Sequence, residues 1–114
     1  MYTTFEAGGK QYELRFTVNA LCEFENKYNI GVTEAMVNSK GFYYLRGLLW
    51  AGLLTNHTIT VEQTGEIMDA YLGENHEFSD LIKMLTEALQ AAGFFRKNGS
   101  AGSKKAAAPG KSEK

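Results

Sequence analysis

Between Gly41 and Leu54 the chain carries Phe42, Tyr43, Tyr44, Leu45, Leu48, Leu49, Trp50, Leu53 and Leu54 around a single charge, Arg46. No other stretch constrains the fold as much. The segment predicts a helix, and at about 100° per residue its apolar side chains do not confine themselves to one stripe. Phe42, Leu45, Leu49 and Leu53 form one line. Tyr43, Trp50 and Leu54 form a second roughly 100° away, and Leu48 and Tyr44 widen the coverage. Such a helix is either the centre of its domain or covered by a partner. A domain this small has a limited interior, which makes all these lines hard to bury within one chain. Tyr43, Tyr44, Trp50 and Leu54 are therefore candidate partner-binding residues for a client that lays down an apolar helical face. The alternative is that they complete the core. Gly41, Gly47 and Gly52 recur in or near this helix at a cost of roughly 1 kcal/mol each relative to Ala, which is either offset by close packing of another backbone or simply tolerated.

The preceding residues read as a β-hairpin. Residues 2–6 and 10–16 flank Ala7-Gly8-Gly9, and Tyr12, Leu14 and Phe16 alternate with Gln11, Glu13 and Arg15. Gly-Gly supplies the positive φ values of a tight primed turn, and an isolated hairpin is marginal in water, so its apolar face must lie on something. A helix then starts near Thr17 or Asn19 and stops at Asn29-Ile30-Gly31, with Leu21, Cys22, Glu25 and Tyr28 on one face. Thr33 with Glu34, and then Ser39, mark the starts of a short turn and of the longer helix through Leu54.

Thr60 followed by Gln63 has the spacing of a capping box, opening a helix that runs to Leu72 and stops at Gly73. Val61, Met68 and Leu72, flanked by Ile67 and Tyr71, are expected inside, and Glu62, Glu66 and Asp69 outside. A last helix over Phe78 to Ala92 places Leu81, Ile82, Leu85, Ala88, Leu89 and Ala92 inward. The expected fold is α+β, mainly α, with an N-terminal β-hairpin followed by a compact bundle of four to five helices. It occupies residues 1–97. Residues 98–114 contain no large apolar residue to offset the entropy of ordering, and a disordered basic tail is expected there.

A hydrophobic fraction of 44% over 114 residues fits one soluble domain. Charge divides unevenly: residues 1–97 carry 8 Lys/Arg against 12 Asp/Glu, and residues 98–114 carry 4 against 1. An acidic body argues against nucleic-acid binding, which replaces counterions with several Lys/Arg on one face. The lone Cys22 reads as a small buried hydrophobe. Without a leader pattern, and with its longest apolar run, Leu48 to Leu54, far short of the roughly 20 residues of a membrane span, the chain is expected in the cytoplasm.

No catalytic, cofactor or metal site emerges. His57 and His76 fall in expected loops and read as solvent-exposed, with no second ligand at metal spacing. Glu23 and Glu25, two apart on a helix, point away from each other, which is wrong for shared acid and base roles. An enzyme is the least favoured class.

The runs Phe16-Thr17-Val18-Asn19-Ala20-Leu21-Cys22-Glu23-Phe24-Glu25 and Leu45-Arg46-Gly47-Leu48-Leu49-Trp50-Ala51-Gly52-Leu53 resemble the tail assembly chaperone family of long-tailed bacteriophages and related gene transfer agents. Ile30-Gly31 and the run from Thr60 to Asp69 fit the same pattern, and the likeness covers about residues 2–92. These motifs are structural rather than catalytic. The resemblance implies a factor of the host cytoplasm that coats the tape measure protein while tail tube protein polymerises around it and is absent from the finished virion. It also implies that a frameshift-extended form can recruit the tail tube protein. Self-association is expected from the apolar coverage of the Gly41–Leu54 helix. Two other classes remain: a virion tail or connector component, and a small DNA-binding regulator.

Overall fold

The computed structural model describes residues 3–37 and 41–94. Strand β1, Thr3–Ala7, pairs antiparallel with β2, Lys10–Leu14, in a register that sets Phe5 opposite Tyr12 and Ala7 opposite Lys10. Gly8 and Gly9 close the hairpin at φ 59° and 80°, the left-handed pair that a two-residue type I′ turn requires. Five helices follow: α1 (Val18–Tyr28), α2 (Val32–Val37), α3 (Phe42–Leu54), α4 (Val61–Leu72) and α5 (Phe78–Ala91). The hairpin and the mainly helical remainder match the expected class. The proposed start at Ser39 and the segment from Asn98 onward lie outside the described residues.

Local signals set the helix ends. Thr17 accepts the Ala20 N–H at 3.0 Å, and Asn29 ends α1 at φ 56°, ψ 42°. Thr60 and Gln63 exchange both bonds of a capping box, at 3.0 and 2.9 Å. Each such cap is worth about 1 kcal/mol.

Helix α3 is the centre of the domain, touching α1, α2, α4, α5 and β2. Leu45, Leu48, Leu49, Trp50, Ala51 and Leu53 are all buried, and fully burying a Leu stabilises by about 1.5–3 kcal/mol. Two glycines let this happen. A Cβ on Gly47 would run into the Tyr28 ring, and one on Gly52 would stand 2.8 Å from both Leu14 and Phe16. A neighbouring backbone does reach Gly52, whose carbonyl accepts the Arg15 N–H at 2.9 Å, whereas Gly47 is closed over by the Tyr28 side chain.

Several assignments of inward faces need correction. On α1 the buried residues are Ala20 and Phe24, whereas Cys22 and Glu25 are exposed. Glu25 is turned outward because its carboxylate accepts the Val32 N–H at 2.9 Å, satisfying the start of α2. On α5, Met84 is buried where Ile82 was expected, and Ile82 is exposed. On α4, Thr64 is fully buried and returns its hydroxyl to the Thr60 carbonyl at 2.9 Å, while Leu72 is only half-buried.

The histidines also differ from expectation. His57 accepts the Glu13 N–H through Nε2 at 3.1 Å, and His76 stacks on Tyr71 at 3.9 Å while its Nδ1 donates to the Tyr71 carbonyl. Both are half-buried and structural. With the Arg15 N–H donated to the Gly52 carbonyl at 2.9 Å, one donor of β2 and one just beyond its end are satisfied from outside the hairpin.

Candidate functional site

The four candidate partner-binding residues do not form one surface. Trp50 is 9% exposed, and its indole N–H donates to the Ile59 carbonyl at 3.1 Å, with Lys27 Nζ 5.3 Å from the ring centre. In this chain it is a core residue. Leu54 is half-buried and packs on the same core, so the line drawn through Tyr43, Trp50 and Leu54 is interrupted beyond its first member. Tyr44 is half-buried, with its ring centre 5.9 Å from that of Tyr28 and 6.4 Å from that of Phe24. Only Tyr43, 62% exposed, is openly presented to solvent.

Its exposed neighbour is Phe42. Assigned by helical spacing to the line of Leu45 and Leu49, Phe42 is instead 53% exposed, its ring edge-on to Phe78 at 4.9 Å. Tyr43 in turn meets Tyr28 edge-on at 4.9 Å. Both lie on the first turn of α3, where the helix is open along one side toward α4. One sequence signal marked them: Arg46 stands three and four residues further on, so Phe42 and Tyr43 share the side of α3 that carries its only charge.

Below these rings lies an open groove of about 610 Å³ between α3 and α4, lined by Phe42, Tyr43 and Arg46 on one side and by Glu62, Gly65, Glu66, Met68, Asp69 and Leu72 on the other. Met68 and Leu72 give it an apolar end. Arg46 crosses its middle, with Cδ 3.3 Å from where a Cβ of Gly65 would stand, so the absent side chain at Gly65 lets the arginine stem lie against α4. Arg46 Nε is buried with no hydrogen-bond partner. Burial raises the Tyr28 hydroxyl above its ordinary value of 10.0, and the positive charge of the nearby Arg46 guanidinium pulls the other way.

A second depression of about 600 Å³ lies between the hairpin and the α3–α4 loop, lined by Ala7, Tyr12, His57, Ile59 and Glu66 among others. It presents no exposed large apolar side chain. Among the described residues no group of three His, Cys, Asp or Glu is placed to hold a metal ion, and no helix is long and apolar enough to cross a membrane. The chain matches no protein-family model, no curated protein and no solved structure.

The groove combines exposed rings, an apolar end and charged edges. Aromatic rings over an apolar floor desolvate a partner side chain, and such anchors dominate binding energy in most interfaces. A trough between two helices has the shape that accepts a third.

Proposed function

We propose that the chain is a tail assembly chaperone of a long-tailed bacteriophage, acting in the host cytoplasm. It holds a helical segment of the tape measure protein, helps bring tail tube protein to it, and leaves before the virion is complete. The observation that carries this reading is the pair Phe42 and Tyr43. They are exposed over the α3–α4 groove, on a helix that otherwise fills the core. The resemblance of residues 2–92 to the family supplies the identity of the client. An aggregation-prone amphipathic helix needs an apolar trough to cover it during assembly, and this groove offers one.

Co-expression with a tape measure fragment tests the reading. The fragment is expected to stay soluble with the parent chain and to precipitate with the Phe42→Ser/Tyr43→Ser double variant, whose own melting temperature is unchanged. Incorporation of the chain into finished particles points instead to a structural tail component, and salt-dependent retention on DNA to a regulator.

A further inference from the structure

We propose that the α3–α4 groove selects a helix whose apolar stripe is bordered by lysine or arginine, with Glu62, Glu66 and Asp69 pairing its positive edge. This rests on the helix-binding reading above and adds a chemical requirement that the reading does not contain.

Glu62, Glu66 and Asp69 are all exposed, and all line the groove from α4. Their spacing of four and three residues puts them on one edge of that helix, over a length of about 10 Å. Like charges at that spacing repel, so α4 carries a local electrostatic cost along the groove that a cationic partner relieves. Among the described residues Arg46 is the one cation lining the groove, and it lies near the Tyr28 hydroxyl. Three carboxylates against one guanidinium leave the trough negative. The exposed rings stand on the α3 wall and the exposed carboxylates on the α4 wall beside Met68 and Leu72, so a bound helix sets its apolar stripe against the rings and the Met68–Leu72 end and its basic border along the α4 carboxylates.

Charge complementarity narrows the occupant. A nucleic acid is repelled. Residues 98–114 carry four lysines but no large apolar residue to set against Phe42 and Tyr43. A second copy fits poorly as well, because α1, α3 and α5 carry Lys27, Arg46 and Lys83 singly and α2 and α4 carry none, so no described helix has a Lys/Arg pair. The geometry thus points to a different chain with a basic amphipathic helix.

Three labelled helical peptides with one apolar stripe, flanked by Lys, Gln or Glu, test this by fluorescence anisotropy against the full chain. At about 50 mM salt the Lys peptide is expected to bind roughly tenfold more tightly than the Gln peptide, the gap closing at about 500 mM salt where the Debye length is a few ångströms. The Glu peptide should not bind. Glu62→Gln/Glu66→Gln/Asp69→Asn, all at exposed positions, should equalise the Lys and Gln peptides, and Phe42→Ser/Tyr43→Ser should weaken both.

Equal binding of the Lys and Gln peptides to the parent overturns the proposal, as does binding that survives loss of both rings. A tenfold or greater gain on deleting residues 98–114 makes the chain's own tail the occupant. Dissociation of a dimer by the carboxylate variant makes it a second copy. Either result also overturns the proposal. Selective Lys-peptide binding with no solubilisation of a tape measure fragment leaves this inference standing and removes the chaperone reading. Solubilisation that persists in the carboxylate variant, with the peptides undiscriminated, does the reverse.

Discussion

The two ends of α3 carry similar side chains and meet different fates. From Leu45 to Leu53 every apolar residue is buried, whereas Phe42 and Tyr43, one turn earlier, are more than half exposed. Composition does not separate them. What differs is the surroundings: the later turns are enclosed by Leu14, Phe16 and Tyr28, which close onto Gly47 and Gly52, while the first turn faces an open groove. Burial along a uniformly apolar helix is thus set by which neighbours arrive, and the glycines mark where they arrive closest.

Substitutions at each end sharpen that contrast. Trp50→Ser removes a buried ring and the donor to the Ile59 carbonyl, and is expected to cost about 3–5 kcal/mol, seen as unfolding or a large fall in urea midpoint. A folded, stable variant would make Trp50 peripheral. Gly52→Ala should come next. Its methyl presses on Leu14 and Phe16, and overpacking of about 1–3 kcal/mol, set against a helix-propensity gain near 1 kcal/mol, leaves a net loss of up to about 2 kcal/mol by chemical denaturation.

Between the two ends stands Tyr28, in contact with Gly47 on one side and Tyr43 on the other. Burial raises its hydroxyl, and that of Tyr71, above the ordinary value. The unfolded chain therefore ionises first. The stability they contribute is complete below about pH 10 and is lost as pH rises through the folded values. Thermal melts from pH 9 upward, each an estimate of where that loss begins, should show the decline, and Tyr28→Phe should show a shallower one. The smallest stability effect belongs to Phe42→Ser/Tyr43→Ser, expected within about 1 kcal/mol of the parent because both rings are largely in water already. A loss comparable to that of Trp50→Ser would erase the distinction between the ends.

Features carried by a few adjacent residues were legible in the sequence. The Gly8-Gly9 turn, the Thr17 cap, the Asn29 stop and the Thr60–Gln63 box each depend on chemistry within four residues, and each appears where expected. The facing of helices was less legible, because it depends on remote partners. On α1, apolar side chains cover much of the circumference, and Phe24 turns inward, its ring 4.8 Å from that of Tyr28, while Cys22 does not. His57 reads as a surface loop residue until β2 supplies an N–H donor forty-four residues away. The candidate site was half legible. Tyr43 is openly exposed and Trp50 is not, and Phe42, which helical spacing sets in line with Leu45 and Leu49, is exposed on the side that carries Arg46.

The stitching of the hairpin to later parts of the chain sets an order of events during synthesis. Gly8 donates to Glu74 at 2.8 Å, Glu13 to His57, and Arg15 to Gly52. On a ribosome adding about 5–20 residues each second, the turn at Gly8 waits roughly 3–13 seconds for Glu74 to be made, and longer for it to clear the exit tunnel. Until α3, and then α4 and α5, have been made, Phe5, Leu14 and Phe16 lack the helices that will cover them. The earliest strands to be made are among the last to be held, so the nascent chain carries an uncovered apolar face of its own until the later helices arrive.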